Sequence, residues 1–154
     1  MKEQTVSYTL LVFLLFICQP FIVINQTSQE WTGGREESGN GTTYRFEIIA
    51  KKGSHKLSID KLWVGEDFFE IRPYLKPGFF NNNIFNRNDT IRVLATKFLG
   101  SDLTKNRNIH KNSDKYIVPP FDYKGDAIIG YMINKKRKYK KIESFTILKK
   151  LNYK

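Results

Sequence analysis

"DAIIGYMINKKRKYKKIESFTILKKL", residues 126–151, is the stretch that decides the fold. Residues 126–133 are strongly apolar, rich in Ile, and have the length of a buried strand. "NKKRKY", 134–139, is polar and closes a turn. "KKIESFTILKKL", 140–151, then returns antiparallel, with Ile142, Phe145, Ile147 and Leu148 as its apolar positions. An apolar strand, a charged turn and a returning strand make a β-hairpin, and its first member is apolar enough to lie in the middle of a sheet.

The same signals recur upstream. "YRFEIIAK" (44–51) sets Tyr44, Phe46, Ile48 and Ala50 on one face and Arg45, Glu47 and Lys51 on the other, the period-two alternation of a half-buried strand. "KKGSHK" turns the chain into "LSIDKLWV" (57–64), and "GED" turns it again into "FFEIRPYL" (68–75). Pro73 has no ladder donor, so this strand lies at an edge or ends there. "TIRVLATKF" (90–98) is a run of β-branched residues, and 116–125, with Pro119 and Pro120, runs extended into a turn. Residues 76–89 and 99–115 read as long connections. The expectation is an all-β domain: one immunoglobulin-like sandwich of six or seven antiparallel strands, with an open barrel as the alternative.

A chain of 154 residues suits one domain. Its single cysteine, Cys18, precedes the strands, so no disulfide staples the fold and packing must hold it. Twelve Phe and eight Tyr supply bulk for a core. The net charge of +11 is uneven: residues 134–154 carry nine Lys or Arg against one acid, and the rest carries 17 against 14.

At the N-terminus, residues 10–24 are apolar apart from Gln19 and Pro20. The run 10–18 has the length of a signal-peptide core and falls short of a membrane span. The predicted organisation is a hydrophobic helix over 1–24, serving as signal peptide or anchor (residues 9–24 if retained), then a flexible polar tether over 25–43, then the domain over 44–154. "LFIC" is similar to a lipoprotein cleavage motif with Cys18 as the lipidated residue, except that Ile17 stands where a small residue is expected. Export predicts a periplasmic or cell-envelope location and argues against nucleic acid as a partner for "KKRKYKK".

The basic hairpin is the first candidate site. Lys135, Lys136, Arg137, Lys138, Lys140 and Lys141 either solubilise an exposed hairpin and blunt its edge, or contact an anionic partner such as a lipid surface, a glycan or an envelope protein. Phe79 and Phe80 fall in a loop and form a candidate aromatic contact. Trp63, Phe68, Phe69 and Tyr74 belong with the core. His55 and His110 are isolated, and neither a metal nor another cofactor is expected. Glu66, Asp67 and Glu70, or Asp122 and Asp126, could pair for hydrolysis of a glycoside. "DTI" at 89–91 is similar to an O-glycosylation acceptor.

The segments 47–74, 88–97 and 119–151, quoted in part above, together resemble small exported, lipoprotein-like β-proteins of Bacteroidetes, which have no assigned activity. The resemblance covers residues 44–151 and implies a secreted or envelope protein; it transfers no functional residue. The expected function is a non-catalytic binding or accessory module of the cell envelope, with the basic hairpin as its contact surface. A small envelope hydrolase using paired carboxylates is the alternative.

Overall fold

The alternation in "YRFEIIAK" is the inner face of a sheet. Tyr44, Phe46, Ile48 and Ala50 all lie in the core, opposite Ala95, Val93 and Ile91 of a neighbouring strand. The computed structural model describes residues 19–34, 39–75, 84–99 and 118–153. It contains β1 (Phe21–Thr32), β2 (Asn40–Ala50), β3 (Leu57–Val64), β4 (Asp67–Glu70), β5 (Thr90–Leu99), β6 (Ala127–Ile133), β7 (Lys136–Ile142) and β8 (Thr146–Asn152). These form two four-stranded sheets, β5-β2-β1-β8 and β4-β3-β6-β7, with one apolar core between them. The architecture is an all-β sandwich with eight strands among the described residues, not six or seven, and two separate sheets replace the alternative barrel. The hydrophobic helix expected over 1–24 is corrected at its end, where residues 21–24 are strand; residues 1–18 lie outside the described residues.

The second sheet contributes Leu57, Ile59, Leu62, Ala127, Ile129, Tyr131 and Ile142 to the core. Strict alternation cannot bury both Ile59 and Leu62. The β3–β6 register shifts between Ile59 and Lys61, and this bulge at Asp60 changes the parity of the pleat. Trp63 is thereby sent to the outer face, where it packs against Phe68 and Tyr139 at 5.2 and 5.9 Å. Gly130 makes room for it: a Cβ there would meet Trp63 Cζ3 at 3.0 Å.

The tether expected over 25–43 is corrected: residues 21–32 and 40–43 are strand. β1 is an interior strand, antiparallel to β2 and parallel to β8. Its polar composition hid it, because its side chains are satisfied by neighbours and not by burial. Gln26 donates to the Ser144 carbonyl at 3.2 Å, Gln29 donates to the Lys149 carbonyl at 2.9 Å, and Arg45 donates to Gln29 at 2.8 Å. Phe21, which the sequence places in the export segment, is a core residue 1% exposed, edge-on to Tyr131 at 5.0 Å. The fold therefore begins well before residue 44.

The return strand over 140–151 is also corrected. β7 ends at Ile142, and β8 crosses to the other sheet to pair parallel with β1, so the strands are not all antiparallel. The cause is Phe145, which reaches Tyr44 and Phe46 at 5.3 and 5.5 Å and draws the chain across. Asp126 secures the crossing by accepting the Phe145 N–H at 2.8 Å. The strand expected over 68–75 stops at Glu70. Beyond Pro73 the chain joins the first sheet, where Tyr74 and Arg92 exchange main-chain hydrogen bonds of 2.9 and 2.8 Å.

Candidate basic contact site

Asn134 and Lys135 both have positive φ, 49° and 64°. Two such residues between paired strands make a type I′ hairpin turn, which Asn tolerates better than most residues. The turn is thus two residues long and pairs Ile133 with Lys136, so most of the basic run is strand β7 itself.

The structure then divides the six predicted cations. Arg137 is half-buried and grips the Asp60 carboxylate with both terminal nitrogens, Nη2 to Oδ2 at 2.7 Å; this bond raises the guanidinium pKa further above its ordinary range. Lys140 donates to Gln19 Oε1 at 3.0 Å and sits 5.8 Å from the Phe21 ring centroid. Burial lowers its pKa from the usual lysine value. Lys141 pairs with Glu143 at 2.8 Å on the surface. Lys135, Lys136 and Lys138 remain exposed, with no ion pair among the described residues.

The three join other basic residues. The Asn134 N–H donates to the Lys56 carbonyl at 3.2 Å, tying the tip to the β2–β3 loop, residues 51–56. That loop turns on Gly53, whose carbonyl accepts from the N–H groups of Lys56 and Leu57 at 2.9 and 3.0 Å. A Cβ at Gly53 would come within 2.9 Å of His55 Nδ1. The loop presents Lys52, His55 and Lys56 fully and Lys51 partly. The β4–β5 connection is bonded to the same end through Ser54 N–H to Phe85 O at 2.9 Å and Ala50 N–H to Asp89 O at 2.9 Å, and it adds the exposed Arg87. The acid there, Asp89, is turned onto the Asn86 N–H at 2.7 Å. The Lys51 N–H donates to the Pro20 carbonyl at 2.8 Å, so the chain also enters the fold at this end. In the sequence, "KKGSHK" reads only as a turn. Its lysine content was visible, but its proximity to residue 134 comes from the β3–β6 pairing.

Two of the five candidate carboxylates are engaged elsewhere. Asp67 binds Lys97 at 2.6 Å, and this bond raises the Lys97 pKa. Asp126 caps Phe145 at 2.8 Å. Glu66 is exposed on the β3–β4 turn and Asp122 is exposed in the irregular chain before β6. Glu70 lines a cleft of about 330 Å³ together with Asp60, Lys61, Arg72, Leu57, Ile59 and other residues. Among the described residues no group of three or more His, Cys, Asp or Glu could hold a metal ion. Thr90, the glycosylation candidate, is exposed at the start of β5.

Of the aromatics, Tyr139 is held between Trp63 and Phe121, at 5.9 and 5.8 Å, and so packs on its own sheet. Phe69 faces Tyr44 at 6.0 Å. Phe79, Phe80 and His110 lie outside the described residues. No protein-family model, curated protein or solved structure matches this chain.

Proposed function

We propose that this chain is an exported, non-catalytic binding module that docks on an anionic lipid surface through its lysine-bearing end. One observation carries the reading: the 51–56 loop, the 84–89 connection and the 134–135 tip converge on the end where Pro20 enters the fold. The apolar run 10–18 is separated from that end by only Gln19 and Pro20. Since residues 21–24 belong to β1, nine apolar residues remain before Gln19, the length of an export-signal core and short of a membrane span. A domain delivered to or held at a membrane by that segment would present its lysines to the headgroups.

Strand order supports an immunoglobulin-like reading. β1-β2-β5 follows the A-B-E order of one such sheet, and β4-β3-β6-β7 follows C′-C-F-G. Strand D is reduced to the Tyr74 bridge, and β8 is an addition beside A. In that arrangement the B–C and F–G connections share the end that variable domains use for recognition. Here those connections are 51–56 and 134–135.

Each lysine near an anionic surface contributes about 1 kcal/mol. Replacing Lys135, Lys136 and Lys138 by Ser should weaken binding to phosphatidylserine-rich vesicles roughly 100-fold, about 3 kcal/mol. Wild-type binding should fall as salt shortens the screening length from about 10 Å at 0.1 M to about 3 Å at 1 M. Co-sedimentation reads both. Equal binding to pure phosphatidylcholine vesicles, or indifference to the substitutions, would sink the lipid reading. Recovery of the full-length chain in the cytoplasm would sink export.

A further inference from the structure

The outer face of the first sheet is set by its register. Tyr44, Phe46, Ile48 and Ala50 point into the core, so alternation puts Gly41, Thr43 and Arg45 of β2 on the opposite side. Their ladder partners are Phe98, Thr96 and Leu94 on β5, and Trp31, Gln29 and Thr27 on β1. β8 continues the rows, with Leu151 beside Trp31 and Leu148 beside Gln29. An apolar row, Phe98-Gly41-Trp31-Leu151, therefore runs across four strands, next to a mainly hydrogen-bonding row, Thr96-Thr43-Gln29-Leu148.

The apolar row meets solvent: Phe98 is 52% exposed, and Leu148 and Leu151 are 37% exposed. Trp31 lies flat within it. A Cβ on Gly41 would meet Trp31 Cζ2 at 2.8 Å and Cε2 at 2.9 Å. Cε2 is a ring-fusion carbon, so the glycine touches the face of the indole and not its rim. Phe98 braces the ring edge-on, at 5.4 Å and 80°. The Trp31 indole N–H makes no hydrogen bond among the described residues, and no buried side-chain nitrogen there lacks a partner, so this donor reaches water. Polar groups beside it are held in place. Gln29 donates to the Lys149 carbonyl at 2.9 Å and accepts from Arg45 at 2.8 Å. Arg45 is exposed and has further N–H groups to offer.

We infer that this face binds a neutral β-1,4-linked oligosaccharide, with one pyranose ring stacked on Trp31. The face of an aromatic ring is electron-rich and attracts the weakly positive axial C–H groups of a pyranose. The equatorial hydroxyls of the same sugar then project sideways, where they meet the indole N–H, Gln29 and the Arg45 guanidinium. From Phe98 to Leu151 the row spans three strand spacings, about 14 Å, which is room for more than one sugar ring. A flat ribbon-like chain suits a flat sheet. Neither row carries a charge, which disfavours a polyanion, and the core of a protein interface would be more continuously apolar. Trp31 stands at the far end of β1 from Phe21, so this site is separate from the lysine-bearing end and does not depend on the lipid reading.

The test is titration of the isotope-labelled protein with the β-1,4-linked hexasaccharides of glucose, N-acetylglucosamine and mannose. NMR follows the two indole N–H resonances, and calorimetry gives the affinity. Expected is a shift of the Trp31 resonance, and not that of Trp63, with at least one of the three sugars. Affinity for that sugar should fall at least about tenfold in Trp31→Ala and less in Phe98→Ala, which removes the brace and leaves the indole. It should persist at about 1 M salt, where charge contacts are screened, and when Lys135, Lys136 and Lys138 are Ser. The Trp31 resonance of the unaltered protein keeps the test decisive if a variant fails to fold. The inference is overturned if none of the three sugars moves that resonance, if Trp31→Ala binds as well as wild type, if binding is lost with the three lysines, or if the face proves to be covered by a second copy, seen as self-association that Trp31→Ala abolishes.

Discussion

β7 and the turn before it carry six cations of nearly uniform type, and two groups of them behave differently. Lys135, Lys136 and Lys138 extend into solvent, whereas Arg137, Lys140 and Lys141 are bound to Asp60, to Gln19 and the Phe21 ring, and to Glu143. The division does not follow the pleat alone, since Lys136, Lys138 and Lys140 share a face by alternation. Pleat and height act together. Arg137, between two exposed lysines, lies on the alternate face and meets Asp60 at the β3 bulge. On the face of Lys136, Lys138 and Lys140, the chain entering β1 reaches only Lys140. A run of like charges is therefore not a uniform surface, and counting lysines overstates what is available to a partner.

The largest effect expected from this contrast is on the tip. The Lys135, Lys136, Lys138→Ser variant should lose about 3 kcal/mol of vesicle affinity with a melting temperature within error of wild type. Calorimetry beside co-sedimentation separates the two quantities, and a large loss of stability would erase the distinction between tip and stem.

Arg137→Ala should do the reverse. It leaves the half-buried Asp60 carboxylate without its partner, and losing hydrogen bonds to a charged group costs about 1.5–3 kcal/mol. Urea denaturation should show this while vesicle binding changes little. Arg137→Lys should recover only part, because an ammonium cannot make the two-pronged contact.

Lys140 sharpens the comparison through pH. Burial holds its folded pKa below the ordinary lysine value, so the unfolded chain binds more protons at moderately alkaline pH. Stability from this group rises with pH until the unfolded lysine also titrates near 10.5. Lys140→Met, which removes the buried charge, should raise the melting temperature near neutrality, and its advantage should narrow as pH climbs toward 10.5. A constant gap would show that Lys140 is not desolvated. The smallest effect belongs to Lys141→Ser, whose exposed pair with Glu143 should be worth under about 1 kcal/mol.

Strands whose faces differ in polarity were legible before folding. The sequence pattern of β3 matches its observed bounds, and those of β2, β5 and β6 fall within a few residues of theirs. β1 was not legible, because "NQTSQEWT" is polar on both faces and reads as linker; two flanking strands and amide hydrogen bonds make it interior. β7 and β8 were read as one strand because nothing in "KIESFTI" announces that Phe145 will be drawn into the core. In the candidate site, the tip lysines were legible as a charge run, but their partition was not. The contribution of "KKGSHK" and the row of Phe98, Trp31 and Leu151 were not legible either, since both arise from pairings between residues distant in the chain.

By itself, the sequence determined the fold class, the absence of a disulfide in the domain, the basic hairpin and an apolar N-terminal run, because each is a property of composition or of local period. Tertiary structure alone decided which lysines are free, where the domain begins, which sheet each strand joins and which side chains share its outer face. Those outcomes depend on contacts between residues up to about 120 positions apart, such as Lys140 with Gln19 and Gln29 with Lys149. No local pattern encodes such contacts; they arise when burial of residues such as Phe21 and Phe145 brings the segments together.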